Sequence, residues 1–113
     1  MQEGLFESRI ESLPLIHRGK VRDLYALGQD HLLIITTDRL SAFDVVLPRA
    51  IPGKGQVLTE LTAFWMRRFE SRIPNHFAAP AVDLARHLRP DELEQCRGRG
   101  VVVRKLRALP VEA

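Results

Sequence analysis

The sequence predicts an α+β domain, an antiparallel β-sheet with one main packed helix. Three observations lead there. The run "HLLIITT" (31–37) is continuous, β-branched and leucine-rich, and reads as a strand buried on both faces. Shorter extended runs flank it with turn signals between them, which suits a meander of antiparallel strands. Farther on, Val57, Leu58, Leu61, Phe64, Trp65 and Phe69 recur at three- and four-residue steps, forming one apolar helical stripe.

Each element can be justified in order. Residues 1–12 are a short polar helix or an arm. "LPLIHRGKVRDLYAL" (13–27) reads as two extended runs joined at Gly19, and "GQD" (28–30) as a turn in which Gly28 takes a positive φ. After 31–37 comes a hairpin-like connection and "VVLP". "PGKGQ" (52–56) breaks the pattern before the helix, which places Trp65 in the core and stops near Pro74. "HFAAPAVDLARHL" (76–88) reads as a short strand and then a turn of helix. In "PDELEQC" (90–96), Pro90 sits at a first helical turn with acids where the helix dipole favours them. "GRGVVVRKLRAL" (98–109) is a final strand, giving five or six strands in all.

Length and composition set bounds. The 113 residues make one domain the sensible prior. One cysteine, Cys96, excludes an internal disulfide framework, which fits a reducing compartment, and no base marks it as a nucleophile. No stretch approaches the roughly 20 apolar residues of a membrane span, and Glu3, Glu7 and Glu11 do not suit a signal peptide. The expected location is cytoplasmic, with no membrane partner. Seventeen basic residues against 14 acidic give a net charge of +3, mild and dispersed, which argues against nucleic acid. The four histidines lack metal-ligand spacing, so no metal site is expected on the chain.

Four stretches could carry chemistry. In "HRGKVRDLY" (17–25), Gly19 would let backbone N–H groups approach a phosphate while Lys20 and Arg22 supply charge; a hairpin turn with solvated bases is the plainer reading. In "PGKGQ", Gly53, Lys54 and Gly55 precede a helix N-terminus and could hold an anion, or simply form a flexible connection. In "TTDRLSAFDVVLP" (36–48), Asp38 and Arg39 could pair on a surface, or the polar groups could face a ligand, with Ser41 and Asp44 at a strand end. In "RKLRALPVE" (104–112), Lys105 could reach phosphates, the backbone at 107–109 an adenine edge, and Glu112 a ribose.

Taken together, "RGKVRDLY", "TTDRLSAFDVVLPRAIPGKGQVLTELTAFW", "PNHF" and "VVVRKLRALPVEA" resemble the N-terminal region of the SAICAR synthetase (phosphoribosylaminoimidazole-succinocarboxamide synthase) family of purine biosynthesis. The resemblance runs from about Ile16 to the last residue and is weaker over 78–97. It implies a domain like a protein-kinase small lobe, covering ATP from one side. It implies a ligase that joins carboxyaminoimidazole ribonucleotide to L-aspartate, with ATP hydrolysed and Mg²⁺ required. Carried over residue by residue, Arg18, Gly19, Lys20, Val21 and Arg22 form the phosphate-covering loop. Arg107, Ala108 and Leu109 contact adenine, Glu112 the ribose, and Lys105 faces the nucleotide. Lys20 and Lys105 take the catalytic roles. Ser41, Asp44, Gly53, Lys54 and Gly55 line the side of the imidazole substrate and aspartate.

Family chains continue into a larger second lobe bearing the metal-binding acids, and "LPVEA" carries no stop signal. The expectation is therefore an N-terminal domain over 1–113, weak in nucleotide binding and inactive alone, with an exposed inter-lobe face able to self-associate. A stand-alone nucleotide-binding module and a half completed by a partner remain the alternatives.

Overall fold

A computed structural model of the chain describes residues 4–76 and 84–107. Its elements are β1 (Leu15–Arg18), β2 (Arg22–Leu27), β3 (His31–Thr36), β4 (Ser41–Ala42), β5 (Val45–Val46), α1 (Lys54–Phe69), α2 (Pro90–Cys96) and β6 (Gly100–Arg104), with a 3₁₀ turn at Leu84–Arg86. Four strands form an antiparallel sheet in the order β1-β2-β3-β6, and β4 and β5 form a separate hairpin. The expected α+β architecture is present, and the last strand is shorter than the 98–109 reading. The N-terminal residues 4–12 run as an arm without helix. The strand expected within 76–88 falls largely on residues outside the described ones.

Register fixes which side chains share a face. Arg22 pairs with Thr36 and Leu27 with His31, while His31 pairs with Arg104 and Ile35 with Gly100. One face therefore presents Asp23, Tyr25, Leu33, Ile35 and Val102. Tyr25, Leu33 and Ile35 are buried there with Ile10 of the arm and with Leu88 and Cys96, and Leu5, Leu13, Leu84 and Leu93 pack around them. The arm and α2 cover this face, and each large apolar side chain so buried contributes roughly 1.5–3 kcal/mol. Strand β3 is accordingly not buried on both faces: Leu33 and Ile35 are fully buried, whereas Leu32 and Ile34 are half-buried.

Helix α1 lies over that second face, but with a different side inward from the one its periodicity suggests. Gly55 is buried, and Gln56, Thr59, Ala63 and Met66 are half-buried. The apolar stripe of Val57, Leu58, Leu61, Phe64, Trp65 and Phe69 points into solvent, with Trp65 50% exposed. Trp65 stacks on Phe69 at 5.7 Å and meets Phe64 edge-on at 5.1 Å, so the rings shelter one another rather than a core. The placement of Trp65 in the core is thus incorrect. The backbone of α1 approaches β3 too closely for large inward side chains: a Cβ on Gly55 would meet the Thr36 carbonyl oxygen at 2.1 Å.

This division predicts opposite outcomes for two apolar truncations. Leu33→Ala should cost about 2–5 kcal/mol, whereas Trp65→Gln should change stability by less than about 0.5 kcal/mol. Urea denaturation followed by circular dichroism measures both; a large loss for Trp65→Gln would return that ring to the core.

Candidate functional site

The segment after β3 carries two adjacent charges, Asp38 and Arg39, and both are buried. They do not pair with each other on a surface, nor do they face solvent. The Arg39 guanidinium donates through Nε to the Lys20 carbonyl (2.9 Å) and through Nη1 to the Phe6 carbonyl (2.8 Å). Its Nη2 donates to the Gly19 carbonyl (2.9 Å) and to Asp23 Oδ1 (2.8 Å). Thr37 adds two donors to the Val21 carbonyl, the backbone N–H at 3.0 Å and the hydroxyl at 2.7 Å. The turn at 19–21 is therefore held by its carbonyls from beneath.

Asp38 does the matching work for α1. Its carboxylate accepts from the N–H of Leu5 (2.9 Å), Gly53 (3.4 Å) and Gly55 (2.7 Å), and from Arg99 Nη1 (2.8 Å) and Nη2 (3.2 Å). Gly53 reaches φ 85°, a left-handed conformation that suits glycine, to start the helix. The anion at this helix N-terminus is thus supplied by the chain itself, and the Gly53 and Gly55 N–H groups are already engaged. What remains free is Lys54. It is a cation in the first turn, where the dipole opposes it, and it has no acidic partner among the described residues.

Two of the remaining candidates meet. Lys20 Nζ pairs with Asp44 Oδ1, and both side chains are largely exposed. The ion pair joins the β1–β2 turn to the tip of the β4–β5 hairpin, whose two turn residues, Phe43 (φ 51°) and Asp44 (φ 63°), are both left-handed. That geometry belongs to the two-residue turn that follows strand twist, where Asn, Asp and Gly are usual and Phe is not. Phe43 is fully exposed and Ser41 half-buried. The Lys20 pairing holds the Asp44 carboxyl below its ordinary value.

The two arginines flanking the turn part company. Arg18 aligns with Asp23 and donates to its Oδ2 (3.1 Å) and to the Ser8 carbonyl (3.1 Å), so it braces the arm. Arg22 lies on the opposite face of the sheet, beside Ile34, Thr36, Thr59 and Met66 in a small cavity of about 100 Å³. The two arginines thus stand on opposite faces of the sheet. Lys105 stands farther off: its N–H donates to the Asp30 carbonyl (2.7 Å) at the β2–β3 turn. That is the opposite end of β2 from the Gly19 turn, five residue steps or roughly 17 Å away. Lys20 and Lys105 are thus not brought together, although one face of the sheet runs between them. Arg107 is exposed; Ala108, Leu109 and Glu112 lie outside the described residues.

The reading from sequence missed the partners that make this arrangement possible. Asp23 occupies an inward position of β2 between apolar neighbours, and Arg99 precedes β6 with 7% exposure. A charge on the inward parity of a strand was the available signal. Burial opposes ionisation of Asp23, but hydrogen bonds from Arg39 and Ser8 outweigh it and hold its pKa down. The same contest at Asp38 is won by Arg99 and the Gly55 and Leu5 N–H groups. Glu92 is held to about 2 by the Arg89 N–H and by the Ser12 hydroxyl at 2.5 Å. Burial and the nearby Glu92 charge push the Cys96 thiol up to about 11, which leaves it a poor nucleophile. Among the described residues no group of three or more His, Cys, Asp or Glu is placed to hold a metal ion. No helix among these residues is long and apolar enough to cross a membrane.

Comparison with known proteins places the geometry. Residues 15–113 match the family model described as SAICAR synthetase. The chain is 56% identical to the phosphoribosylaminoimidazole-succinocarboxamide synthase of Thioalkalivibrio sulfidiphilus and 55% identical to that of Bordetella pertussis, over its whole length and 38% of theirs. A solved SAICAR synthase superposes with a TM-score of 0.84 at 34% identity, covering 94% of this chain and 38% of that one. A Saccharomyces cerevisiae SAICAR synthase complexed with SAICAR gives 0.80 at 35% identity, covering 89% and 36%. The chain thus spans well under half the length of the relatives it matches.

Two outcomes follow from the buried charges. Arg39→Ala should cost about 3–5 kcal/mol, because it leaves Asp23 buried and uncompensated. Arg39→Lys should also destabilise, since an ammonium cannot reproduce the forked contacts; a Lys variant as stable as wild type in thermal melts would refute this role. The second outcome concerns pH. Asp23, Asp38 and Glu92 all have folded-state values below their ordinary ones, so their contribution is present above the ordinary carboxylate range and lost on acidification. For Glu92 the window is pH 4.5 down to about 2. Urea midpoints should fall between about pH 6 and about pH 3, and less steeply in Glu92→Gln.

Proposed function

The chain belongs to the SAICAR synthetase family, and from that premise we propose that it forms the N-terminal, nucleotide-covering part of an ATP-dependent ligase. The complete enzyme would join carboxyaminoimidazole ribonucleotide to L-aspartate in the cytoplasm. A substrate carboxylate oxygen attacks the γ-phosphorus of ATP, ADP departs, and an acyl phosphate forms. The aspartate amine then attacks the acyl carbon and phosphate leaves, giving the amide.

The observation that carries this reading is the junction of the Gly19–Lys20 turn with the Ser41–Asp44 hairpin through the Lys20–Asp44 ion pair. One segment is suited to phosphate and the other to a polar substrate. In this reading Lys20 and Arg22 offset charge on the phosphates, as a point charge and a planar donor respectively. Ser41 donates to a substrate oxygen, and Lys54 draws the anionic substrates toward the hairpin. Lys105 and Arg107, together with Ala108, Leu109 and Glu112, serve the other end of the nucleotide, with the base and ribose there. Arg18 is reassigned from the ligand to the arm, and the Gly53 and Gly55 N–H groups to Asp38. Magnesium would neutralise the transferring phosphoryl, on residues other than those described here.

The test joins this chain to the downstream portion of the 56%-identical relative and follows conversion of the ribonucleotide, aspartate and ATP to the succinocarboxamide. Lys20→Ala should raise the KM for ATP by roughly tenfold, and Ser41→Ala should raise that for the ribonucleotide or aspartate instead. The 113-residue chain alone should show no turnover. Absence of product from the joined protein, or equal effects of both variants on all substrates, would overturn the reading.

A further inference from the structure

The two charges of the Lys20–Asp44 pair belong to segments assigned to different ligands, and each is satisfied by the other. The Lys20 backbone is held by the Arg39 contact to its carbonyl, while its largely exposed side chain is held among the described residues by Asp44 alone. Asp44 sits at a hairpin tip and accepts no hydrogen bond other than that from Lys20 among the described residues. Each charge has the same sign as the ligand group expected beside the other, so each side chain occupies the place that group would take. A phosphate would draw Lys20, and an ammonium would draw Asp44.

Resting on the reading above, we propose that the pair is a partner-exchange device: nucleotide phosphate takes Lys20 from Asp44, and the released carboxylate then holds the ammonium group of the amino-acid substrate. The two ligands thereby bind with positive coupling, without movement of the sheet. Linkage requires the effect to be reciprocal, so the ammonium ligand also tightens nucleotide binding. The size is bounded by what an exposed ion pair supplies, roughly two- to fivefold in affinity. Asp44 in this scheme acts against nucleotide binding, the reverse of what a residue that touches the nucleotide would do.

The test uses the isotopically labelled 113-residue chain and ATP at millimolar concentration, read by NMR through the Lys20 and Asp44 resonances. Asn adopts left-handed φ readily, so Asp44→Asn keeps the turn, and the remaining spectrum reports whether the fold is intact. Asp44→Asn should tighten ATP roughly two- to fivefold in the wild-type background, and should have no effect in a Lys20→Met background. ATP should likewise increase the response of Asp44 to L-aspartate. Equal tightening in both backgrounds would mean a general field effect and would overturn the exchange, as would weaker ATP binding by Asp44→Asn. No response of Lys20 to ATP would overturn the nucleotide reading itself, and the exchange with it.

Discussion

The guanidinium of Arg39 is the contact on which the candidate site depends. Four hydrogen bonds leave it for three separate segments: the arm at Phe6, the turn at Gly19 and Lys20, and β2 at Asp23. A planar fork with five donors can make this set and a point charge cannot. Asp23 makes the charge tolerable in the interior, and is itself shared with Arg18 and Ser8. One residue earlier, Asp38 ties the arm, the start of α1 and Arg99 together. Two neighbouring residues of opposite sign thus each find a partner elsewhere. Their attraction for one another is replaced by contacts that set the positions of two loops.

Much of the sheet was legible because strands declare themselves through local rules. The 31–37 run, the glycine at 28 and the bend at Gly19 set β2 and β3, and Pro90 with its following acids set α2. The polar cluster at 36–44 was legible as unusual but not as two different things. Nothing local separates Asp38, whose partner Arg99 is 61 residues away, from Asp44, whose partner is on an exposed turn. Long-range pairing decides which acid is structural, and a single sequence does not display it. The parity of Asp23 on β2 was the nearest available clue, since an odd charge among inward Tyr25 and Leu27 needs a buried counterpart.

Helix α1 misleads for a related reason. Periodicity reports that an apolar stripe exists, not what covers it. Here the sheet takes the small and polar side of the helix, with Gly55 under the Thr36 carbonyl and Thr59 near the Arg99 carbonyl (3.4 Å). The large residues are left facing away, and Leu58, Leu61, Trp65 and Phe69 among them line, with Met66, Ile73 and Asn75, an apolar groove of about 450 Å³.

The distribution of charge along 38–44 separates fixed parts from movable ones. Removing a buried charge from its partner exposes an unpaired ion to a low dielectric, so the Asp23–Arg39 and Asp38–Arg99 pairs persist through any ligand event that leaves the fold intact. The Lys20–Asp44 pair, in water, loses little on separation because solvent replaces each partner. The proposed site, taking phosphate and a polar substrate, would need both kinds: loops that do not shift when charge arrives, and side chains that do. The same turn provides them, with its carbonyls held from below by Arg39 and Thr37 and its ammonium left above. Backbone position and side-chain freedom are thereby set independently at Lys20.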